Sequence, residues 1–499
     1  MPTKRKQNIP GKARAQARSR TSRSSYSSAR RSHAPSTVQG GFSTSGARRP
    51  KAKSAVRPSA LKPGSSTAPS APTLQGGAAG GAVMTRRNLL IGAGAIAGLA
   101  VTGGGISYAM NAMDQGSETT IEHIAVPADA VVDQGSYTLV KATDHVKLAG
   151  SYKLPYGTLV WADNDTLAAC LVPTEKASPL TTVSVLNLSS GNTTTILKKA
   201  QGSDEGFEIL DVRCSEKGLI WTEANAYTSA WRVYTAKLSD GSASKITKVD
   251  EADSAWCIPS LAAVEDSAFW QVSPKADGTA AKSQSALKAA RFGSDAVEVP
   301  WTTKHAFATR LVAADDGVVI APRAESTTTY YQITKIAASD RSTVDQMTLP
   351  SSMTPDFVSY GRSGFSFGFS SIYNYGDGIA NLGTYTPRAA ATPFQYNGLQ
   401  WFRFSRTPLA SPCWSGQWFV VKSTTSLCGI HFSSGSYFTL SIPSGTDDYG
   451  EHLVSSGTRS SFVGLSQIAP TDTTDKTKGH ALVRVFTPIK DSVGSAFSS

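Results

Sequence analysis

The sequence predicts an all-β protein, a seven-bladed β-propeller with about 49 residues per blade, and three observations point there. First, a turn residue followed by three or four consecutive apolar residues recurs, with runs starting at Leu167, Leu219, Ala268, Val318, Phe365, Trp418 and Phe462. These starts lie 52, 49, 50, 47, 53 and 44 residues apart, which is nearly one period throughout. Second, such runs are apolar on both faces of a strand, as in a strand buried on both sides. Third, the segments between them are rich in Thr, Ser, Val, Trp and Tyr and are broken by Gly, Asp and Asn, the pattern of short strands and tight turns. A pair of β-sandwiches is the alternative, but sandwiches do not require one period throughout.

Each repeat reads as four strands. In the second, Phe207 to Val212 is the inner strand, Leu219 to Trp221 the buried one, Trp231 to Leu238 a half-exposed third, and Ser244 to Lys248 the last. Asp240-Gly241 supplies the turn before that last strand. The final repeat has no fourth strand after His480 to Thr487, while Tyr137 to Lys141 and Val146 to Tyr152 have no blade of their own. One of these two is expected to complete the seventh blade and close the ring, removing an open sheet edge. Over about 136–490 the repeats resemble exported propellers of the WD40-like or TolB-like sort, in architecture only. Trp-Asp endings, Kelch glycine pairs, Ser-x-Asp-x-Gly-x-Thr-Trp boxes and Asp-x-Asp-x-Asp-Gly calcium loops are all missing. The resemblance therefore implies a fold and no residue-level function.

Charge divides the chain into two physical objects. Residues 1–83 hold 16 Lys/Arg and no Asp or Glu, and the first acid is Asp114. With Arg86 and Arg87 the basic count reaches 18, leaving 31 basic residues against 37 acids in 114–499. The net +12 thus joins a strongly basic segment to a mildly acidic body, so the body is no nucleic-acid binder. Segment 1–83 is poor in large apolar residues and is expected to be a disordered polybasic tail. Anionic lipid or nucleic acid are its expected partners.

Thr85-Arg86-Arg87-Asn88-Leu89-Leu90 opens the apolar run Leu89 to Ala109, which carries no charge and six glycines. Arg86, Arg87, Leu89 and Leu90 resemble a twin-arginine (Tat) export signal, whose hydrophobic stretch is only moderately apolar. Phe is the commoner residue at the place of Leu89. The resemblance implies passage through the Tat translocase to the extracytoplasmic face of a bacterial membrane, or secretion. Ser107-Tyr108-Ala109 permits signal cleavage after Ala109, whereas 89–109 left uncleaved is long enough to anchor in the membrane with the tail cytoplasmic. Met84 is an alternative start, which would make a compact signal of 84–112. A linker over 113–134, the propeller over 135–490 and a flexible end at 491–499 complete the organisation.

The residues name no reaction. The densest titratable cluster is Asp447-Asp448-Tyr449-Gly450-Glu451-His452. Asp447, Asp448, Glu451 and His452 are the catalytic candidates, as a carboxylate/His pair suits acid–base work. Tyr373, Asn374, Tyr375 and Asp377 are the ligand-binding candidates, since paired loop tyrosines can stack on a sugar or a partner side chain. Glu223, Asp250 and Glu325 are further loop carboxylates, while Asp163-Asn164-Asp165 and Asp315-Asp316-Gly317 read as plain turns. No His or Cys pair stands at metal-ligand spacing, and no cofactor motif occurs, so neither metal nor cofactor is expected. The five cysteines read as buried, strand-borne residues, with one disulfide possible whose pairing the sequence leaves open and at least one thiol over. The expected function is an exported cell-envelope binding or scaffolding propeller with an envelope protein or glycan as ligand. The alternative is an extracytoplasmic hydrolase or lyase acting on polysaccharide or peptide.

Overall fold

A strand that is apolar on both faces can be buried only if its sheet has a neighbour on each side, and that requirement organises the molecule. The computed structural model describes residues 121, 131–239, 242–351, 353–362, 364–369, 378–382, 401–404, 410–470 and 479–489. The chain divides after Gly76 into two units, and every described residue belongs to the second. In it, seven sheets built from consecutive antiparallel strands follow in chain order. The first comprises Leu159–Trp161, Leu167–Pro173, Thr181–Asn187 and Thr193–Leu197. The second comprises Phe207–Cys214, Gly218–Asn225, Trp231–Ser239 and Ser242–Ala252, the four strands expected there. The third covers 260–303, the fourth 312–348, the fifth 357–404, the sixth 413–439 and the seventh 452–488.

Alternation along the buried strands sends neighbouring side chains into different interfaces. Trp221 packs with Leu171, Val183 and Ile209 between the first and second sheets. Ile220, one residue away, packs with Trp270 and Leu261 between the second and third. Phe269 and Val318 share the next interface, Met347 and Phe365 the one after it, then Phe357 and Phe419. Trp418 meets Phe462 and Phe486, and Val463 and Val483 finally meet Val160 and Cys170 of the first sheet. Each sheet is thus buried against the sheets before and after it, and the last packs on the first. This cyclic order is a β-propeller and excludes two sandwiches.

The expected blade count does not stand. Five sheets are four-stranded blades rather than seven, and the other two have five and six strands. In the fifth sheet Val131–Asp133 pairs parallel to Trp401–Phe404. In the sixth, Thr138–Leu139 adds at the outer edge and Gly457–Arg459 at the inner edge, both parallel. The spacing of buried central strands carries no information about what pairs with a sheet edge, which is why the repeat count misled. The expected apolar helix over 89–109 lies outside the described residues. Three-residue 3-10 turns are the helical elements seen among the described residues, and no helix there is long and apolar enough to cross a membrane. Arg86, Arg87, Leu89, Leu90 and Ala109 lie outside the described residues, as does Asp240-Gly241.

Ring closure follows the expectation from the sequence. Val146–Pro155 pairs antiparallel with His480–Pro488, from Val146 opposite Pro488 to Pro155 opposite His480, and becomes the outer strand of the seventh sheet. All five cysteines are free thiols, with Cys257 exposed and the others buried.

Candidate functional site

The carboxylate/His cluster sits where the loop 440–451 passes from the sixth sheet to the seventh. Asp447 opens a tight turn: its carbonyl accepts from Gly450 N at 3.0 Å and its Oδ1 from Tyr449 N at 3.1 Å. Gly450 has φ +72, and a Cβ there would lie 2.0 Å from Thr425 O. Only glycine fits. The close approach lets Glu451 N donate to the same carbonyl at 2.8 Å. Beyond it Glu451 is fully buried, and both its oxygens accept from the guanidinium of Arg484, Nε to Oε1 at 2.8 Å and Nη2 to Oε2. Burial raises the Glu451 pKa above the ordinary carboxylate value, although Arg484 and Lys422 pull it down.

His452 turns toward Lys422, a lysine only 1% exposed near the end of Trp418–Ser423. Lys422 Nζ donates to Tyr449 O at 2.6 Å and lies 3.1 Å from His452 Nδ1. Burial pushes the lysine down to about 8, against the attraction of Asp447 and Glu451. Burial, and then the Lys422 charge, hold His452 at about 4, so at neutral pH the imidazole is the acceptor.

Of the four catalytic candidates, Glu451 and His452 therefore point inward to separate partners, Asp447 is half-buried and Asp448 is exposed. The described contacts join no carboxylate to His452. A pH prediction follows. The unfolded histidine binds protons below its ordinary 6.5, while the folded one does so only near 4. Its contribution to stability is therefore complete above pH about 6.5 and is lost as pH falls toward about 4. His452→Asn is expected to flatten the stability-versus-pH slope across that window, measured by urea unfolding at stepped pH. An unchanged slope would count against the assigned pair.

Other loop candidates are redistributed. Glu223 and Asp250 are strand residues that bind their own protein. Glu223, fully buried, accepts from Trp221 Nε1 at 2.9 Å and from the backbone of Gln201 and Gly202 at 2.6 and 2.9 Å. Asp250 accepts from Trp270 Nε1 at 2.6 Å and Lys288 Nζ at 2.8 Å. Glu325 pairs with Lys304 at 2.7 Å. Tyr373, Asn374, Tyr375 and Asp377 lie outside the described residues. Among the described residues no three or more His, Cys, Asp or Glu side chains gather as a metal site would require.

The residues that do converge come from the innermost strands, around the axis. Phe207–Cys214 carries Asp211 and Arg213 in an otherwise largely apolar strand. Arg213 Nη1 bonds Asp211, its Nε lies 3.6 Å from Asp163, and its guanidinium stacks 4.3 Å from the Trp161 ring. Arg310, which leads into the fourth sheet, reaches Asp211 Oδ2 at 3.1 Å. Its neighbours are tied to the third sheet, Leu311 N donating to Ser260 Oγ and Gln271 Nε2 to Thr309 O, both at 3.0 Å, so the bond links this loop to the second sheet.

One mouth of the lumen is crossed by 456–460. Ser456 Oγ donates to Asp163 Oδ1 at 2.9 Å, Thr458 N to Asp315 Oδ1 at 2.6 Å, and Ser460 N to Asp165 Oδ1 at 2.9 Å. Arg459 bonds the Asp163 carbonyl and lies 3.6 Å from Asp315. The aspartates read from sequence as plain turns are therefore anchors that pin a crossing segment to the first and fourth sheets. Sequence reasoning missed Asp211, Arg213, Arg310 and Arg459; charges placed two apart in an inner strand were the available signal.

No family model matches the chain, and no curated protein does. Among solved structures it is similar to a prolyl endopeptidase at 11% identity and TM-score 0.41, covering 70% of this chain and 48% of that one. The β-propeller domain of the Trilobed protease from Pyrococcus furiosus matches at 13% identity and TM-score 0.41, covering 70% of this chain and 100% of that domain. An oligogalacturonate lyase from Vibrio parahaemolyticus matches at 9% and 0.34, covering 68% and 97%. At these values they are likenesses only, and the propeller assignment rests on the sheet order itself.

Proposed function

We propose that the chain is an exported cell-envelope binding propeller whose loop face takes a protein partner. One observation carries this reading: among the described residues, six of the thirteen exposed large apolar side chains stand in loops of one face. Strand directions alternate, so loops joining second to third strands and those joining one sheet to the next lie on the same side. Tyr156, Leu180, Tyr227, Ile258, Ile442 and Tyr449 all stand in such loops, 37% to 96% exposed. They follow one another around the ring from the sixth-to-seventh junction to the second-to-third. An arc of tyrosine and aliphatic side chains is the composition of a protein interface core. The acid–base groups nearby are turned inward, since Glu451 is fully buried with both oxygens on Arg484. The twin-arginine motif supports the address, with the Tat translocase as carrier and 89–109 as an anchor if it is not cleaved.

The test places a photo-crosslinking residue at Tyr227, at Tyr449, and at Leu148 on an outer strand. One and the same protein species is expected from both loop positions and none from Leu148. Tyr227→Ser with Tyr449→Ser should abolish that product while changing stability by no more than about 0.5 kcal/mol, as expected for exposed sites. Equal labelling from Leu148 overturns the face assignment, and adducts to glycan alone would make the ligand a sugar. Fractionation of cells carrying Arg86 and Arg87 as Lys tests the address, and an unchanged location overturns it. The hydrolase or lyase reading would be favoured by turnover that Glu451→Gln abolishes in a folded protein.

A further inference from the structure

We infer that the lumen is a blind well that binds the carboxylate of an aliphatic acid, with Arg310 holding the carboxylate and Leu210 packing against the aliphatic group. This extends the binding reading to a second, smaller ligand and is tested separately from the loop face. The well is blind because 456–460 crosses one mouth, bonded to Asp163, Asp165 and Asp315. Its wall carries a β-bulge. Pairing of Phe207–Cys214 with Gly218–Asn225 shifts between Ile209 and Asp211, leaving Leu210 as the extra residue. Bulges re-aim a side chain, and inner-strand bulges are common beside binding sites. Leu210 is 46% exposed on a strand whose open side is the lumen. An apolar side chain held out this way has no role in the sheet's own core.

Arg310 bonds Asp211, the residue that follows Leu210 in the chain. Its side chain is 66% exposed and bonds Asp211 through Nη2 alone, so its other N–H groups remain available. A guanidinium presents a planar fork that fits a carboxylate. Asp211 is shared with Arg213, which also faces Asp163, so two carboxylates balance two guanidiniums and it is the spare N–H groups of Arg310 that a carboxylate would use. Carboxylate and aliphatic contacts side by side describe either a small branched acid or the C-terminal residue of a peptide.

The experiment titrates the full chain by calorimetry with N-acetyl-leucine, its amide, and the peptide Ala-Ala-Leu with free or amidated end. N-acetyl-leucine is expected to bind with a Kd of about 1 mM or tighter. Either amide should bind at least about tenfold more weakly, as should Arg310→Gln toward the free acid. Tighter binding of Ala-Ala-Leu than of N-acetyl-leucine assigns the site to peptide ends, and equal binding assigns it to free acids. If Arg310→Gln fails to fold, Leu210→Glu decides, because that exposed site tolerates a charge that would compete for Arg310. Absence of binding by the wild type overturns the inference. So does an amide that binds as well as the acid, or binding unchanged in Leu210→Glu. Crosslinking at Tyr227 is unaffected by any of these results, so the two readings fail independently.

Discussion

Arg484→Met is expected to destabilise the protein by about 3–5 kcal/mol at neutral pH, because it leaves a fully buried carboxylate without its counter-charge. Arg484 lies on His480–Pro488, the strand that the chain's own Val146–Pro155 covers to close the ring. Its guanidinium also donates to Ser441 O at 3.0 Å and covers the Phe486 ring at 4.9 Å, so the same substitution loosens the loop that carries Tyr449. The loss should depend on pH. Glu451 already has a raised pKa with Arg484 present, and removing the largest opposing influence raises it further. A raised acid pKa means the folded state takes up a proton that the unfolded state does not hold, so stability recovers as pH falls from the raised value toward the ordinary one. The deficit should therefore be smaller at pH about 5 than at pH about 8. Arg484→Met combined with Glu451→Met should recover most of it, since an apolar pair replaces an ion pair at little cost. Urea unfolding of the three variants at both pH values is the measurement. A single variant that loses less than about 1 kcal/mol, or a deficit that does not change with pH, would mean Glu451 is not the buried charge assigned here.

The same residues show how far the sequence could be read. The buried runs at Leu219, Ala268 and Val318 predict central strands because side chains on both faces had to be covered, and each is found between two sheets. The lone fourth-strand vacancy after Thr487 was legible for a similar reason: a strand pattern at Val146 had no partner. The parallel additions at Val131–Asp133, Thr138–Leu139 and Gly457–Arg459 were not legible, since three residues or fewer make no periodic pattern and owe their pairing to tertiary position. Glu451 and His452 were found as a cluster, but whether they face each other or separate partners depends on Arg484 and Lys422, 33 and 30 residues distant. The lumen charges were illegible for the opposite reason. Asp211 and Arg310 are 99 residues apart, and nothing local relates them.

Gly457→Val carries the second large effect, expected at about 2–5 kcal/mol, from two separable causes. Gly457 has φ +72, where a β-branched residue is strained. A Cβ there would also lie 2.7 Å from Asp315 Oδ1 and 3.3 Å from Arg459 Nη2, the contacts that hold 456–460 across the lumen. Asp315→Ala removes the nearer obstacle but also the Thr458 N–H bond and the Arg459 charge partner, so it costs stability by itself. The two substitutions share a contact, so the double variant should lose less than the sum of the singles, by about 0.5–3 kcal/mol. A strictly additive result would assign the whole effect of Gly457→Val to backbone conformation and none to the aspartate. The consequence for the well is specific. A displaced 456–460 segment opens the closed mouth without touching Arg310 or Leu210. N-acetyl-leucine should then still bind Gly457→Val while the folded state is populated. Loss of that binding with the fold intact would show that the anchored segment itself forms part of the site.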